Sequence, residues 1–276
     1  MAAAARAAHL IVDGEPVIFA DTLAADLLGD RAEELISYHR LHGEHLVLAS
    51  ARAQVTCRSR YAEQSVAAAV ERGVAQYVML GAGLDSFAYR SALAGQVAVF
   101  EVDHPATQQW KRDRLRDAGL TAPDARFVPV DFEMDSLTSK LIGAGLDPSR
   151  PALVSWLGVT MYLTHDAIGA VLSELATFAP GSELVLDYML PAGLRDDVGN
   201  SYVEQVAPAA AERGEPWLSF FAPEQVTTLL RRHGFAAIRH VAQHEIGSAA
   251  LWHRTDALRP ANLSRLAHAR LSGRTG

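Results

Sequence analysis

The sequence has 276 residues, of which 49% are hydrophobic, and its formal net charge is -7. This length allows one large α/β domain, and the acidic balance without a long basic run argues against a nucleic-acid partner. The single cysteine, Cys57, excludes an internal disulfide and a cysteine-only metal site, which fits a reducing, cytoplasmic setting. The longest apolar stretch, around residues 152–163, is too short to span a bilayer, so no membrane partner is expected.

The residues before the first apolar strand are predicted to be helical. The Ala-rich segment 1–12 is interrupted by Arg6 and His9, so we expect a frayed helical N-terminus there and not a signal peptide. Residues 24–53 predict helix with several breaks, and residues 61–72 predict a helix stopped by a glycine. Because these segments lie outside the sheet pattern, we expect them to cap one end of the sheet.

From residue 77 onward, short apolar runs alternate with helical segments. The predicted strands cover residues 77–80, 97–102, 126–130, 152–157 and 183–188, and the predicted helices between them cover residues 105–117, 137–144 and 166–178. The pattern loosens after residue 190 until residue 217, and then predicts a helix over 223–232 and strands over 235–241 and 245–252. This alternation predicts an α/β fold with a parallel sheet covered on both faces.

The stretch VMLGAGLDSFAYR, residues 78–90, leads an apolar strand into the turn Gly81, Ala82 and Gly83. Such a turn lets the backbone approach a ligand closely. A dinucleotide-binding turn usually reads G-x-G-x-x-G, but Ser86 stands at the sixth position, and the turn lacks the lysine of a phosphate-binding P-loop. A tight strand-to-helix connection without any ligand remains the alternative at this point.

Acidic residues follow the next two predicted strands. Glu101 and Asp103 end the second strand, about 20 residues past the turn, and Asp131 follows the third strand. The carboxyl ends of parallel strands lie side by side, at the edge where open α/β folds bind ligands. One carboxylate there could accept hydrogen bonds from ribose hydroxyls, and another could accept from the exocyclic amine of an adenine.

Six motifs occur in order along the chain: CRSRYAEQSV, VMLGAGLDSFAYR, VFEVDHP, VPVDFE, SWLGVTMYL and GSELVLDYM. Together they resemble the leucine carboxyl methyltransferase-like family of S-adenosylmethionine-dependent methyltransferases, from about FADTLAADLL to RTDALRP. The resemblance implies a class I methyltransferase Rossmann-like doubly wound sheet, mostly parallel with an antiparallel seventh strand, plus an N-terminal helical cap. We therefore expect a single domain over residues 1–276, with a cap region over 1–60, a core over 61–276 and a cap insertion near 190–220.

The resemblance also implies where S-adenosylmethionine binds. Gly81, Ala82 and Gly83 should lie against the amino-acid part of this cofactor, and Asp103 should hold its ribose. An arginine donates in a planar fork that suits a carboxylate, so one arginine of the RSR stretch should pair with the methionine carboxylate. The two candidates are Arg58 and Arg60, and an exposed helix face is the alternative for them.

The adenine end of the site is implied in the same way. Asp131 should hold the adenine and Phe132 should cover it. One position departs from the family pattern, because Leu157 stands where many members have an acid before a glycine. The departure leaves open any cofactor or substrate contact of that acid, although Leu157 stays among the expected cofactor-binding residues, and it indicates a bacterial branch whose substrates the sequence does not reveal.

The implied activity is in-line methyl transfer to a small-molecule acceptor, most plausibly to a carboxylate or hydroxyl oxygen. A carboxylate is already ionised near neutral pH and needs no base, whereas a phenol would benefit from one. The candidate bases are His104, Tyr162, Asp187 and Tyr188, and for each of them a structural role is favoured. The alternatives are an NAD-dependent oxidoreductase and a non-catalytic S-adenosylmethionine-binding protein. The sequence leaves the acceptor, the catalytic residues and the oligomeric state open.

Two further residue groups stand outside the βα pattern. The histidines at positions 39, 42 and 45 recur every third residue, but H-E-x-x-H is absent and no metal site is predicted. Segments 1–60 and 190–220 are expected to select the substrate. Within the second segment and just beyond it, Trp217, Phe220 and Phe221 offer apolar surface to an acceptor, with ordinary cap-to-core packing as the equally weighted alternative.

Overall fold

A computed structural model of the chain describes residues 2–122, 124–132 and 134–272. Seven strands in these ranges form one sheet in the order β3-β2-β1-β4-β5-β7-β6. The strands are β1 (Gln76–Leu80), β2 (Ala98–Asp103), β3 (Ala125–Pro129), β4 (Leu153–Trp156), β5 (Glu183–Met189), β6 (Phe235–Val241) and β7 (Ser264–Leu271). Strands β1 to β5 pair in parallel, and β7 runs antiparallel between β5 and β6. The predicted doubly wound sheet with an antiparallel seventh strand is confirmed.

Helices cover both faces of the sheet. They are α1 (Ala2–Val12), α2 (Ala24–Leu28), α3 (Ala32–His42), α4 (Leu46–Glu71), α5 (Phe87–Arg90), α6 (Pro105–Asp117), α7 (Leu137–Gly143), α8 (His165–Leu175), α9 (Asp197–Ala211) and α10 (Pro223–Arg232). Because side chains alternate along a strand, β2 sends Phe100 and Val102 to the face of α7, α8 and α10, and sends Val99 to the face of α4 and α5. In the described part of the chain, no helix combines the length and apolarity that a membrane crossing requires.

The predicted strand over residues 245–252 is wrong. Short 3-10 turns form there instead, Gln243–Glu245 and Ala249–Trp252, and between them Gly247 adopts a φ of +77° that interrupts an extended run. The strand that completes the sheet is β7, which the sequence pattern does not reveal because Arg265, His268 and Arg270 dilute its apolar residues. A strand between two others can carry such residues where they find partners, as His268 does with a carboxylate of β5 at 2.8 Å.

The N-terminal helix is packed and not frayed, so that expectation is also wrong. Helix α1 buries Ala3, Ala4 and Ala7 against α2 and α3, since alanine side chains let helices approach closely. His9 is fully buried, and its Nε2 accepts a hydrogen bond from the Ile18 amide at 3.0 Å. The N-terminal segment is therefore part of the cap.

Two other cap helices differ from the sequence pattern. The end of the helix expected over residues 24–53 and almost all of the helix expected over residues 61–72 belong to one 26-residue helix, α4. It contains no glycine or proline to break it. The expected boundary at residue 60 falls inside this helix. Helix α9 lies in the segment where the pattern loosens, because Gly199 and Pro208 conceal its periodicity. Both α4 and α9 border the carboxyl edge of the sheet, where the site residues meet.

Candidate active site

The glycine turn joins β1 to α5 at the carboxyl edge of the sheet. Gly81 has a φ of +70° and Gly83 a φ of +48°, a region that favours glycine. A Cβ on Gly81 would lie 2.3 Å from Cγ2 of Val159, so the turn fits against β4 only without a side chain. A Cβ on Gly83 would meet nothing nearer than 4.0 Å, while Ala82 between them is buried. The turn is therefore packed behind Gly81 and open in front of Gly83.

The carboxylate of Asp103 closes the turn from the end of β2. Its Oδ2 accepts from the Gly83 amide at 2.6 Å, and its Oδ1 accepts from the His104 amide at 2.7 Å. A carboxylate oxygen can accept two hydrogen bonds, so each oxygen of this half-buried side chain keeps a lone pair. Glu101 is instead fully buried, with its Oε2 2.6 Å from Nζ of Lys111. Of the two acids on β2, Asp103 is the one that reaches the edge.

Asp131 lies beside Asp103 at the end of the neighbouring strand. The amide of Val130 donates to the Asp103 carbonyl at 2.9 Å, which brings the two chain segments together. The amide of Asp131 donates to Oδ2 of Asp135 at 3.0 Å, which fixes the turn after β3. Phe132 is partly buried and packs against the core. The glycine turn, Asp103 and Asp131 thus follow three adjacent strands at one edge.

Arg58 reaches the same edge from α4. Its Nη1 donates to Oδ2 of Asp187 at 2.9 Å, and Oδ1 of Asp187 accepts from the Gly158 amide at 2.6 Å. A Cβ on Gly158 would lie 2.4 Å from Nη2 of Arg58, so the guanidinium fits only over a glycine. Leu157, directly before it, is partly buried and packs against the apolar cluster of the α4 face. The chain around residue 158 is therefore shaped to receive an arginine.

Arg60 lies in the cap, away from Asp187. Its Nη1 donates to the Ile18 carbonyl at 2.8 Å, and its Nε is buried near Gly247. Residues two apart on a helix point in different directions, so Arg58 and Arg60 cannot share one partner. The structure brings Arg58, and not Arg60, to the carboxyl ends of β4 and β5.

A buried polar network that the sequence pattern does not predict fastens the cap to the glycine turn. Ser86 is fully buried, and its hydroxyl donates to Oδ1 of Asp21 at 2.5 Å. Arg6 donates through Nε to Oδ2 of Asp21 at 2.6 Å and through Nη2 to the Leu84 carbonyl at 2.6 Å. Burial alone would raise the pKa of Asp21, but Arg6, Ser86 and Arg90 together lower it. The only sequence signal was a serine where a dinucleotide turn has its third glycine.

The candidate bases all have structural contacts or unfavourable surroundings. His104 is exposed and caps α6, accepting from the amide two residues on at 3.3 Å. The hydroxyl of Tyr188 lies in the core, 2.7 Å from Nδ1 of His240, and burial raises its pKa. Burial also raises the pKa of Tyr162, against the opposing influence of Trp217. Because Asp187 is ion-paired with Arg58 and its side chain is only 3% exposed, it is held in a structural contact, and none of the candidates is a free base.

An aromatic cluster, formed by Tyr162, Tyr202, Trp217 and Phe220, lies beyond the carboxyl ends of β4 and β5. Trp217 stacks on Tyr202 with ring centroids 6.3 Å apart and an interplanar angle of 24°, and its centroid is 6.4 Å from that of Phe220. Phe221 does not join this surface, because it is buried in the core and stacks on a histidine at 4.5 Å. The expectation of an apolar surface at the edge therefore rests on Trp217 and Phe220 alone.

The three histidines with a spacing of three residues have separate environments. His39 is buried, with its Nδ1 3.3 Å from Nη1 of Arg52, whereas His42 is exposed. His45 caps α4 by accepting from the Val47 amide at 3.3 Å. Within the described ranges, no group of three or more His, Cys, Asp or Glu side chains is arranged to hold a metal ion.

The sequence of this chain is similar to those of known proteins. The family model "Leucine carboxyl methyltransferase" matches residues 1–176. YktD of Bacillus subtilis is 32% identical over 281 residues, which cover 94% of this chain and 92% of that protein. A protein of Rhodococcus jostii is 39% identical over 134 residues, which cover 47% of this chain and 45% of that protein. Both proteins are named as candidate S-adenosyl-L-methionine-dependent methyltransferases.

Solved structures share the fold. A DUF574 family protein from Streptomyces avermitilis matches with a TM-score of 0.64 and 18% identity, covering 97% of this chain and 96% of that one. A structure from Thermobifida fusca, titled as a candidate methyltransferase, matches with a TM-score of 0.61 and 17% identity, covering 97% and 98%. At this level of identity the likeness concerns the fold alone. Neither an NAD-dependent oxidoreductase nor a non-catalytic binding protein is supported by these relatives.

Proposed function

This chain belongs to the leucine carboxyl methyltransferase family and is an S-adenosylmethionine-dependent methyltransferase, and we propose that it methylates an oxygen atom of a small-molecule carboxylic acid. When bound, the cofactor supplies a methyl group activated on a sulfonium ion. The chain's own residues must then hold the cofactor, orient the acceptor and exclude water. Proximity and orientation can supply several orders of magnitude in rate.

We propose that the cofactor lies along the ends of β1, β2 and β3. The open space in front of Gly83 admits it, and the two remaining lone pairs of Asp103 suit the paired hydroxyls of a ribose. Asp131 follows the next strand, where it would receive the adenine, with Phe132 beside it. These residues fit the cofactor's chemistry. The carboxylates can accept hydrogen bonds from the ribose hydroxyls and from the exocyclic amine of the adenine, and the aromatic ring can cover the adenine.

Arg58 is proposed to bind the methionine carboxylate. Its guanidinium has five N–H donors and uses Nη1 for Asp187, which leaves donors for a second carboxylate. Leu157 lies beside this position and offers an apolar contact where the family resemblance implies an acid. Arg60 is engaged with the cap and is left out of the proposed site.

The observation that carries the choice of a carboxylic acid is that none of the four candidate bases is free to take a proton from the acceptor. Asp187 is ion-paired with Arg58 and its side chain is only 3% exposed, and burial raises the pKa of Tyr162 and raises that of Tyr202 to about 12. A phenol, with a pKa of about 10, would need a base, whereas a carboxylic acid, with a pKa of about 4, is already ionised. The site therefore suits an acceptor that arrives deprotonated.

The test uses the different alkali stability of esters and ethers. The protein would be incubated with S-adenosylmethionine carrying a tritiated methyl group and with a panel of aromatic and aliphatic carboxylic acids, the matching alcohols, and phenols. We expect transfer to acids only, as methyl esters from which alkali releases volatile tritiated methanol. Label that stays with the product in alkali, after transfer to a phenol or alcohol, would contradict the proposal.

A further inference from the structure

Arg195 lies in the turn between β5 and α9 and has no acidic partner among the residues that the structure describes. Its Nε donates to the Leu190 carbonyl at 2.6 Å, and its guanidinium carbon lies 5.0 Å from the centroid of the Phe220 ring. Partial burial lowers the pKa of this guanidinium, with no nearby acid of the described chain opposing it. Neither Nη atom donates a hydrogen bond to a residue that the structure describes.

Several other arginines of the chain have partners for their Nη donors. Arg6, Arg52 and Arg58 are each bonded to an aspartate. Arg126 lacks an acid but donates to two carbonyls at the end of α7, at 2.9 and 3.2 Å. Removing a cation from water without a counter-ion costs free energy, and binding an anion recovers it. Arg195 is therefore placed to bind an anion that the chain itself does not provide.

The position of Arg195 points to the acceptor. Leu190 directly follows β5, and the amide of Phe221 donates to the Met189 carbonyl at 2.9 Å, which holds Phe220 at the end of the same strand. Arg195 thus lies at the rim of the aromatic cluster, over the carboxyl end of β5. From the cofactor side, Arg58 is close enough to act electrostatically on two tyrosines of that cluster.

We propose that Arg195 binds the carboxylate of the acceptor, and that the aromatic cluster packs against a flat apolar body attached to it. This deepens the proposed function, on which it rests, by naming the substrate class: an arylalkyl carboxylic acid. Trp217 and Phe220 are half-buried, so part of each ring is left exposed for offset stacking. A carboxylate and its methyl ester differ by one charge, so Arg195 holds the acid and not the ester.

The experiment is calorimetric titration of the protein loaded with S-adenosylhomocysteine. The probes are 3-phenylpropionate, its neutral analogue 3-phenylpropanol, and hexanoate, which keeps the charge without the ring. The variants are Arg195→Gln, Arg195→Lys and the matched control Arg112→Gln, whose guanidinium lies 4.5 Å from the Phe127 ring at the far side of the sheet. The S-adenosylhomocysteine affinity of each variant reports whether it is folded.

We expect 3-phenylpropionate to bind more tightly than either analogue. In Arg195→Gln its affinity should fall roughly 10- to 100-fold, the usual loss for a hydrogen bond to a charged group, while Arg112→Gln behaves as the wild type. Arg195→Lys should retain part of the affinity, because it keeps the charge but not the planar fork. Equal binding of acid and alcohol, no binding of the acid, or full affinity in Arg195→Gln would overturn the assignment.

The inference and the function on which it rests can fail separately. If 3-phenylpropionate binds through Arg195 but no acid of the panel yields alkali-labile methyl, the carboxylate function is wrong and the anion site stands. If acids are esterified equally well by the wild type and Arg195→Gln, the function stands and the role of Arg195 is wrong.

Discussion

The carboxyl edge of this sheet has two halves of different construction. At the ends of β1 and β2, the site is built from turns and from an acid at the end of a strand. Gly81 packs against Val159, and Asp103 accepts hydrogen bonds from two backbone amides. Around the ends of β4 and β5, the surface comes from side chains such as Trp217, Arg58 and Arg195, all of them outside the repeating βα pattern. A site built from backbone geometry suits the cofactor, which is always the same molecule. A site built from side chains suits the acceptor, because side chains can be replaced when the acceptor differs.

The largest effect on the free energy of unfolding is expected from removing the buried contacts between the cap and the glycine turn. Asp21→Ala leaves the buried Arg6 without its counter-ion and Ser86 without its acceptor, so we expect a loss of about 3–5 kcal/mol in the free energy of unfolding. Denaturant titration measures it. The control is Asp113→Ala, whose pair with Arg116 is exposed, and which should cost less than about 1 kcal/mol. Similar losses in the two variants would show that the buried network does not fasten the cap.

Gly81→Ala tests the packed side of the glycine turn. The new Cβ would lie 2.3 Å from Val159 in a backbone region unfavourable to alanine, so overpacking and strain should together cost about 2–4 kcal/mol. Gly73→Ala is the matched control, because Gly73 also has a positive φ, +86°, but open space around it. Comparing thermal unfolding of the two separates the clash from the strain. A Gly81→Ala protein as stable as the control contradicts the described packing.

The cap should also respond to acid through His39. Burial, followed by the charge of Arg52, lowers the pKa of His39 to about 4, against about 6.5 in an unfolded chain. Between these values the unfolded chain binds the extra proton, so stability is complete above pH 6.5 and is lost as the pH falls toward 4. The loss should reach about 3 kcal/mol.

Unfolding titrations at several pH values, on the wild type, His39→Gln and the exposed control His42→Gln, measure this contribution. We expect His39→Gln to flatten the dependence between pH 6.5 and 4 and His42→Gln to leave it unchanged. An identical pH dependence in all three proteins would assign the acid response to other groups.

The sequence predicts the central sheet because β1, β2, β4 and β5 are short apolar runs bounded by turn residues, and ordered motifs locate the cofactor half. It does not predict β7, whose basic residues are satisfied only by tertiary partners, or the network of Arg6, Asp21 and Ser86, which joins residues far apart in the chain. The role proposed for Arg195 depends on its having no acidic partner among the described residues, and only the three-dimensional structure shows this. The extent of the single domain and the cytoplasmic location stay predictions.

The measurement that tests the central claim most directly is calorimetric binding of S-adenosylhomocysteine to the wild type, Asp103→Ala and Asp131→Ala, with Asp113→Ala as control. We predict that both site variants bind it roughly 10- to 100-fold more weakly, because each loses hydrogen bonds to the ligand, while the control binds it as the wild type does. Full affinity in Asp103→Ala would contradict the placement of the cofactor at the ends of β1, β2 and β3.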